Sequence, residues 1–171
     1  ALQWLPRISA SERQMFDAEL ARIRPGAQLS ELKTGGGVVA AGERDEYFPV
    51  RYTEPLAGNE MVLGFDAASR PEGRQALSLA GDSGSMAISG RIALVQDGGR
   101  HAVVLYRPIY HRDMLTETVV QRRAALQGFS AGVLRIDQVL AVALRDAPPT
   151  GLDIHIFDVS ASGEQLLHHH V

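Results

Sequence analysis

Apolar residues recur at helical spacing at Met15, Phe16, Leu20 and Ile23. Ser9 and Glu12 precede them as an S-x-x-E capping pair, which satisfies orphan amides at a helix start, and Pro25-Gly26 ends the run. Upstream, Leu2, Trp4, Leu5 and Ile8 form an apolar entry segment that reads as the tail of another helix. From 27 to 53 the pattern turns extended. Leu29 and Leu32 lie before a break at Gly35-Gly36-Gly37, Val38-Val39 follows, and 47–53 is aromatic and β-branched, with Pro49 favouring an edge or bulge. Residues 55–59 make a turn. A short helix is predicted over 71–80, with Leu77 and Ala80 inward and a stop at Gly81 or Gly84.

The best hairpin pairs 92–96 with 101–110 across Asp97-Gly98-Gly99-Arg100, where Asp-Gly supplies the positive φ of such turns. Residues 111–126 are polar and Arg-rich, a connector with some helix. A strand is predicted over 128–136, then a helix over 138–145 capped by Asp137, with Val139, Leu140, Val142 and Ala143 facing a core. Pro148-Pro149-Thr150-Gly151 is a turn, and strands are predicted over 152–159 and 165–169, joined at Gly163. Helices alternate with antiparallel-type hairpins and not with regular βαβ crossovers, so the fold class is α+β. The organisation is bipartite, with one unit to about residue 110 and another from about 127.

The 171 residues, 45% hydrophobic and 22% charged, suit one globular domain or two small subdomains, and exclude extensive disorder. With no cysteine, disulfide scaffolds, thiol nucleophiles and Cys-ligated metals are excluded. No apolar stretch approaches the roughly 20 residues of a membrane helix. Trp4, Pro6 and Arg7 interrupt any apolar targeting core. Lys33 is the single lysine among 17 basic residues, and 20 acids outnumber them, so no broad nucleic-acid footprint exists.

Gly81-Asp82-Ser83-Gly84 copies the nucleophile motif of chymotrypsin-like proteases, but their histidine and aspartate precede the serine. Here the first histidine is His101, so the segment reads as a helix C-cap. Ser30-Glu31-Leu32-Lys33 and Lys33-Thr34-Gly35 match S-x-x-K and K-T-G of penicillin-recognising enzymes, which need two lysines. The glycines at 35–37 lack the G-K-[ST] of a phosphate loop. In His168-His169-His170 adjacent strand side chains alternate in direction, so at most His168 and His170 could share an ion, with Asp153 and His155 near in sequence. Glu43, Asp45 and Glu46 beside Arg44 read as a salt-bridged loop and not as a glycosidase pair. These readings leave no catalytic residues, no metal site and no cofactor.

Leu5-Pro6-Arg7-Ile8 with Glu12-Arg13 and Phe16, then Arg44-Asp45-Glu46-Tyr47-Phe48-Pro49-Val50, then Gly64-Phe65-Asp66, occur in an order that resembles the CHASE sensory domain. Leu94-Val95-Gln96, Pro108-Ile109-Tyr110, and Gly128-Phe129 leading to Gly132-Val133-Leu134-Arg135-Ile136 extend the likeness from about Leu2 to near the C-terminus. The resemblance implies the extracytoplasmic, in a bacterium periplasmic, sensing part of a membrane histidine kinase, nucleotide cyclase or diguanylate cyclase. It implies an N-terminal helix through which the receptor homodimerises, and membrane helices flanking the domain. Two PAS-like subdomains follow: 1–26 would hold the end of the stalk helix and the next helix, 27–111 the membrane-distal ligand-binding half, 112–126 the connector, and 127–171 the membrane-proximal half.

Plant relatives hold cytokinins through an Asp in the helix after the segment matching Gly64-Phe65-Asp66; Gly73 stands there, between Glu72 and Arg74. An adenine would therefore lose its orienting carboxylate, and Arg74 or Arg91 would suit a carboxylate ligand instead. A PAS-like half holds its ligand between sheet and covering helices. The candidate lining is Tyr52, Phe65, Arg74, Ser89, Arg91, Val95, Val104 and Tyr106, with Arg44, Asp45 and Tyr47 assigned to structure. The competing reading is a ligand-free module for dimerisation or docking a periplasmic partner.

Overall fold

Two ten-residue strands that pair along their length form the spine of the molecule. The computed structural model describes residues 1–33, 36–93, 101–145, 151, 153–159 and 163–170. In chain order these contain β1 (Leu2–Pro6), β2 (Ile8–Ser9), α1 (Arg13–Ile23), β3 (Ser30–Leu32), β4 (Val38–Ala40), β5 (Glu46–Tyr47) and β6 (Tyr52–Glu54). Then come α2 (Pro71–Ser83), β7 (Ala87–Ile88), β8 (Ile92–Ala93), β9 (His101–Tyr110), α3 (Val119–Ala125) and β10 (Leu126–Arg135). The last elements are α4 (Ile136–Ala143), β11 (Ile154–Asp158) and β12 (Gln165–His170).

The main sheet has the order β6-β1-β10-β9-β7, with β8 also on β9, and all its pairings are antiparallel. Helices and antiparallel sheets thus coexist, as the α+β reading requires. On one face Leu5, Phe129, Ala131, Val104 and Tyr106 meet Ala76, Leu77 and Ala80 of α2 in the larger core. Phe129 sits edge-on to Phe48 at 5.2 Å and to Tyr106 at 6.4 Å, the arrangement ring quadrupoles favour. Phe16 and Leu20 of α1 pack with Ile8, Leu29 and Tyr47 in a smaller core.

The capping pair forms as expected: Ser9 Oγ and its amide both donate to the Glu12 carboxylate, at 2.6 and 2.9 Å, ahead of α1. The helix over 71–80 is present and continues to Ser83, ending on Gly84 in the left-handed region. Pro71 occupies its first turn, where the missing N–H costs nothing.

Two expectations are corrected. Leu2–Pro6 is strand and not the tail of a stalk helix, because it is paired on both sides, with β10 and with β6. The helix expected over 138–145 with Asp137 as its cap forms instead over Ile136–Ala143 with Asp137 inside its first turn, and Val139 and Val142 on it are exposed and do not face a core. β10, which begins at Leu126, lies between β1 and β9 at the centre of the main sheet. The hairpin turn 97–100 and the turn 148–150 lie outside the described residues.

The α4, β11 and β12 segment follows the main sheet. Arg91 ties its hairpin to that sheet, its amide donating to Asp158 Oδ2 at 2.6 Å and its guanidinium to the Leu166 carbonyl at 3.0 Å. No helix among the described residues is long and apolar enough to cross a membrane.

Candidate ligand-binding site

Asp66 organises one wall of the site. None of its side chain is exposed, and it accepts hydrogen bonds from the Phe48 amide (2.9 Å), the Ala68 amide (3.1 Å) and Arg44 Nη1 (2.5 Å). Arg44 also pairs with Glu31. Burial pushes the Asp66 carboxyl up from its ordinary range, against the downward pull of these donors. The Ala68 bond caps the 3₁₀ turn Ala67–Ser69, which sets where Phe65 and Arg70 project.

Over this turn α2 starts unusually close. A Cβ on Gly73 would lie 2.2 Å from the Ala67 carbonyl oxygen, so only glycine fits. The turn and the helix start thereby roof a cavity of about 70 Å³ above the sheet. Val104, Tyr106 and Val133 form its floor, with Phe65, Arg70 and Gly73 above.

Two polar side chains in this cavity have hydrogen-bonding capacity left over. Tyr106 is 4% exposed, and its hydroxyl finds no hydrogen-bond partner among the described residues. Burial raises its pKa well above that of a free phenol. Arg70 lies 5.3 Å over the Phe65 ring and donates through Nη1 to the Ala93 carbonyl at 2.9 Å, but its Nε is buried with no acceptor. Burial pulls the guanidinium below its usual pKa.

Of the residues proposed from sequence, the structure brings Phe65, Val104 and Tyr106 together here. Tyr52 is 54% exposed beneath the Arg51 guanidinium, because on β6 the inward residue is Thr53. Ser89 is buried but spent on backbone: its hydroxyl donates to the Gly90 carbonyl (2.8 Å) and accepts from the Val104 amide (2.9 Å). Arg91 is engaged with β11 and β12 as described. Val95 lies outside the described residues. Arg70 was missed, though its place just before a helix-starting proline puts it at the mouth of α2.

Arg74 lines a different and larger depression of about 390 Å³ with Arg7, Glu46, Asp82 and Arg123. Most of the charges there are matched, while the Arg74 side chain has no hydrogen bond or ion pair among the described residues. Arg7 donates to Glu46 and to the Arg123 carbonyl at 2.7 and 2.8 Å, and Arg123 holds Asp82 through two bonds of 2.7 Å. An anion there would face the acids Glu46 and Asp82, whereas no acid among the described residues lines the smaller cavity.

Gly81-Asp82-Ser83-Gly84 is a helix C-terminus, Asp82 being taken by Arg123. Ser30 lies in β3, and Thr34 and Gly35 lie outside the described residues. On the terminal hairpin Asp153, His155 and His169 gather, and the His170 side chain lies outside the described residues. His155 and His169 are cross-strand partners with rings stacked at 4.2 Å, and His169 bonds to Asp153. All three are exposed; they are the described groups that could hold a metal ion.

The sequence of 1–168 matches the family model of the CHASE domain. The chain belongs to the CHASE domain family. CHASE domains are sensory modules of signalling receptors, and this chain is likewise a sensor domain and not the catalytic part of one. It is 24% identical over 170 residues to hybrid signal transduction histidine kinase A of Dictyostelium discoideum, covering 94% of this chain. It spans only 8% of that kinase's length. The segments that carried the resemblance converge in space: Arg44 of 44–50 ion-pairs Asp66 of Gly64-Phe65-Asp66, and Ile8 pairs with Tyr47 in the β2–β5 ladder.

Proposed function

We propose that this CHASE domain is the extracytoplasmic ligand-sensing part of a transmembrane receptor whose output is a cytosolic histidine kinase or diguanylate cyclase. The supporting observation is the cavity between the sheet and the Phe65–Gly73 segment, apolar in its walls yet holding the buried Arg70 Nε, which has no acceptor, and the Tyr106 hydroxyl. An unpaired buried polar group is costly, of order 1–3 kcal/mol, and sites built to bind commonly carry that cost until ligand arrives. In this reading the membrane-distal PAS-like half is 27–111, which supplies most of the cavity lining, and 127–171 is the membrane-proximal half. The whole receptor is a homodimer joined through an N-terminal helix, and it lies on the outer face of the cell membrane.

Signalling requires ligand to favour one conformation over another. Ligand bridging the roof to β9 draws the turn and α2 onto the sheet. β10 passes the displacement to α4 and the terminal hairpin, which lead on along the chain. Gly73 disfavours an adenine ligand, since no side chain at that position can accept the amine.

A thermal-shift screen over adenines, organic acids and amino acids tests this reading, run on the wild type and on Val133→Phe, which narrows the cavity. One class should raise the wild-type melting temperature, since ligand binding the folded state stabilises it, and leave the variant unmoved. Absence of any shift, or equal shifts in both proteins, would contradict it.

A further inference from the structure

We propose that the cavity binds a small monocarboxylate, whose carboxylate is held by the Arg70 guanidinium and the Tyr106 hydroxyl. This rests on reading the cavity as the sensory site and names what it senses.

Three observations lead there. The unmatched Arg70 Nε–H can only donate, and the phenol beside it, kept protonated, has an O–H to donate. Their complement is an acceptor, and the partly desolvated cation calls for a negative one. No acid among the described residues lines the cavity to supply it. The nearby Asp66 cannot, because its oxygens are taken by Arg44 and by the Phe48 and Ala68 amides.

The remaining wall defines the rest of the ligand. Val50, Val62, Ile92, Val104 and Val133 offer alkyl surface, with Gln3 the only other polar side chain among the described lining residues. At roughly 10–15 Å³ per water-sized occupant, a cavity of about 70 Å³ admits roughly five to seven non-hydrogen atoms. Propionate, pyruvate and lactate fall in that range; an adenine does not. The arginine that sequence singled out for a carboxylate was Arg74 or Arg91; Arg91 is engaged with β11 and β12, and Arg74 lines the larger depression. Arg70, four residues before Arg74 and so one helical turn away, occupies the position those two were expected to fill.

Calorimetry and thermal shift of the wild type with propionate, pyruvate and the neutral isostere propionamide, at matched ionic strength, provide the test. Propionate and pyruvate should bind and stabilise, and propionamide should bind at least about tenfold more weakly, since charge-assisted bonds carry roughly 1.5–3 kcal/mol. Arg70→Met should weaken the carboxylates about tenfold or more, Arg70→Lys less, and Tyr106→Phe by about fivefold, with folding of each checked by circular dichroism. Should a variant fail to fold, the propionate and propionamide pair on the wild type decides alone. Equal binding of propionamide, or carboxylate binding unchanged in folded Arg70→Met and Tyr106→Phe, overturns the carboxylate proposal while leaving a ligand-binding domain. If neither charged nor neutral probe binds, and the wider screen above is also silent, the sensory reading of the cavity falls with it.

Discussion

Arg44 Nη1 lies 2.5 Å from Asp66 Oδ2, and that carboxylate is wholly shielded from solvent. The pair ties the loop before β5 to the turn that roofs the cavity, so the two most recognisable sequence motifs hold each other in place. The Tyr47 hydroxyl completes the loop, accepting from the Arg44 amide at 2.7 Å and donating to the Gly42 carbonyl at 3.0 Å.

Arg44→Met leaves the Asp66 charge buried without its cation. Breaking a buried pair from one side costs roughly 3–5 kcal/mol, and because Arg44 is itself about a third exposed the loss should sit near 3. Urea denaturation measures it. Arg44→Met combined with Asp66→Asn should recover part of the loss, since the stranded charge is then gone.

Restoring the aspartate that cytokinin-binding relatives carry should fail. Gly73→Asp places a Cβ within 2.2 Å of the Ala67 carbonyl oxygen, and backbone has to move to relieve it. Overpacking of this kind costs roughly 1–3 kcal/mol. Gly73→Asp should therefore lower stability by about that amount and give no adenine binding in a thermal-shift assay. Gly73→Ala should show the same destabilisation, which separates backbone crowding from charge.

Acid should loosen the contact between α2 and α3. Two bonds from Arg123 hold the Asp82 carboxyl below the usual carboxylate range. The folded pKa is thus below the unfolded one, so the pair's contribution is complete above the unfolded value of about 4 and is lost as pH falls through the folded value. Asp82→Asn removes it at every pH. The stability gap between wild type and Asp82→Asn should then shrink as pH drops from about 5 to about 2, read by denaturation at each pH. A gap that widens in acid would contradict the assignment.

The elements whose evidence is local were legible in the sequence. The Ser9–Glu12 cap, α1, the Pro71 start and Gly84 end of α2, and the antiparallel partner of 101–110 all rest on short-range chemistry, and each is present. What failed was long-range. Leu2, Leu5 and Ile8 have spacings that fit a helix, and only pairing of Leu2–Pro6 with strands more than 45 residues away makes them strand. The same remoteness hid β10's place at the sheet centre. Among site residues, alternation on β9 delivered Val104 and Tyr106 to one face, but one residue of phase on β6 turned Tyr52 outward. Arg70 and Arg74 differ by one helical turn, and only the Asp66-capped turn decides which of them faces the cavity.

The terminal hairpin should depend on Arg91. Its amide and guanidinium meet Asp158 and the Leu166 carbonyl, hydrogen bonds that add to the packing of β12 on β9 and α4 in holding the two-stranded sheet against the main one. Such a hairpin is marginal alone. Arg91→Ala should speed amide hydrogen exchange in β11 and β12 while β9 and β10 keep their protection.

The most direct test of the cavity as sensory site is amide chemical-shift mapping of the wild-type domain titrated with propionate. Saturable shifts should concentrate at Phe65, Gly73, Tyr106 and Val133, with Asp82 and Arg123 unmoved. Shifts centred instead on the Arg74, Asp82 and Arg123 depression would contradict the account.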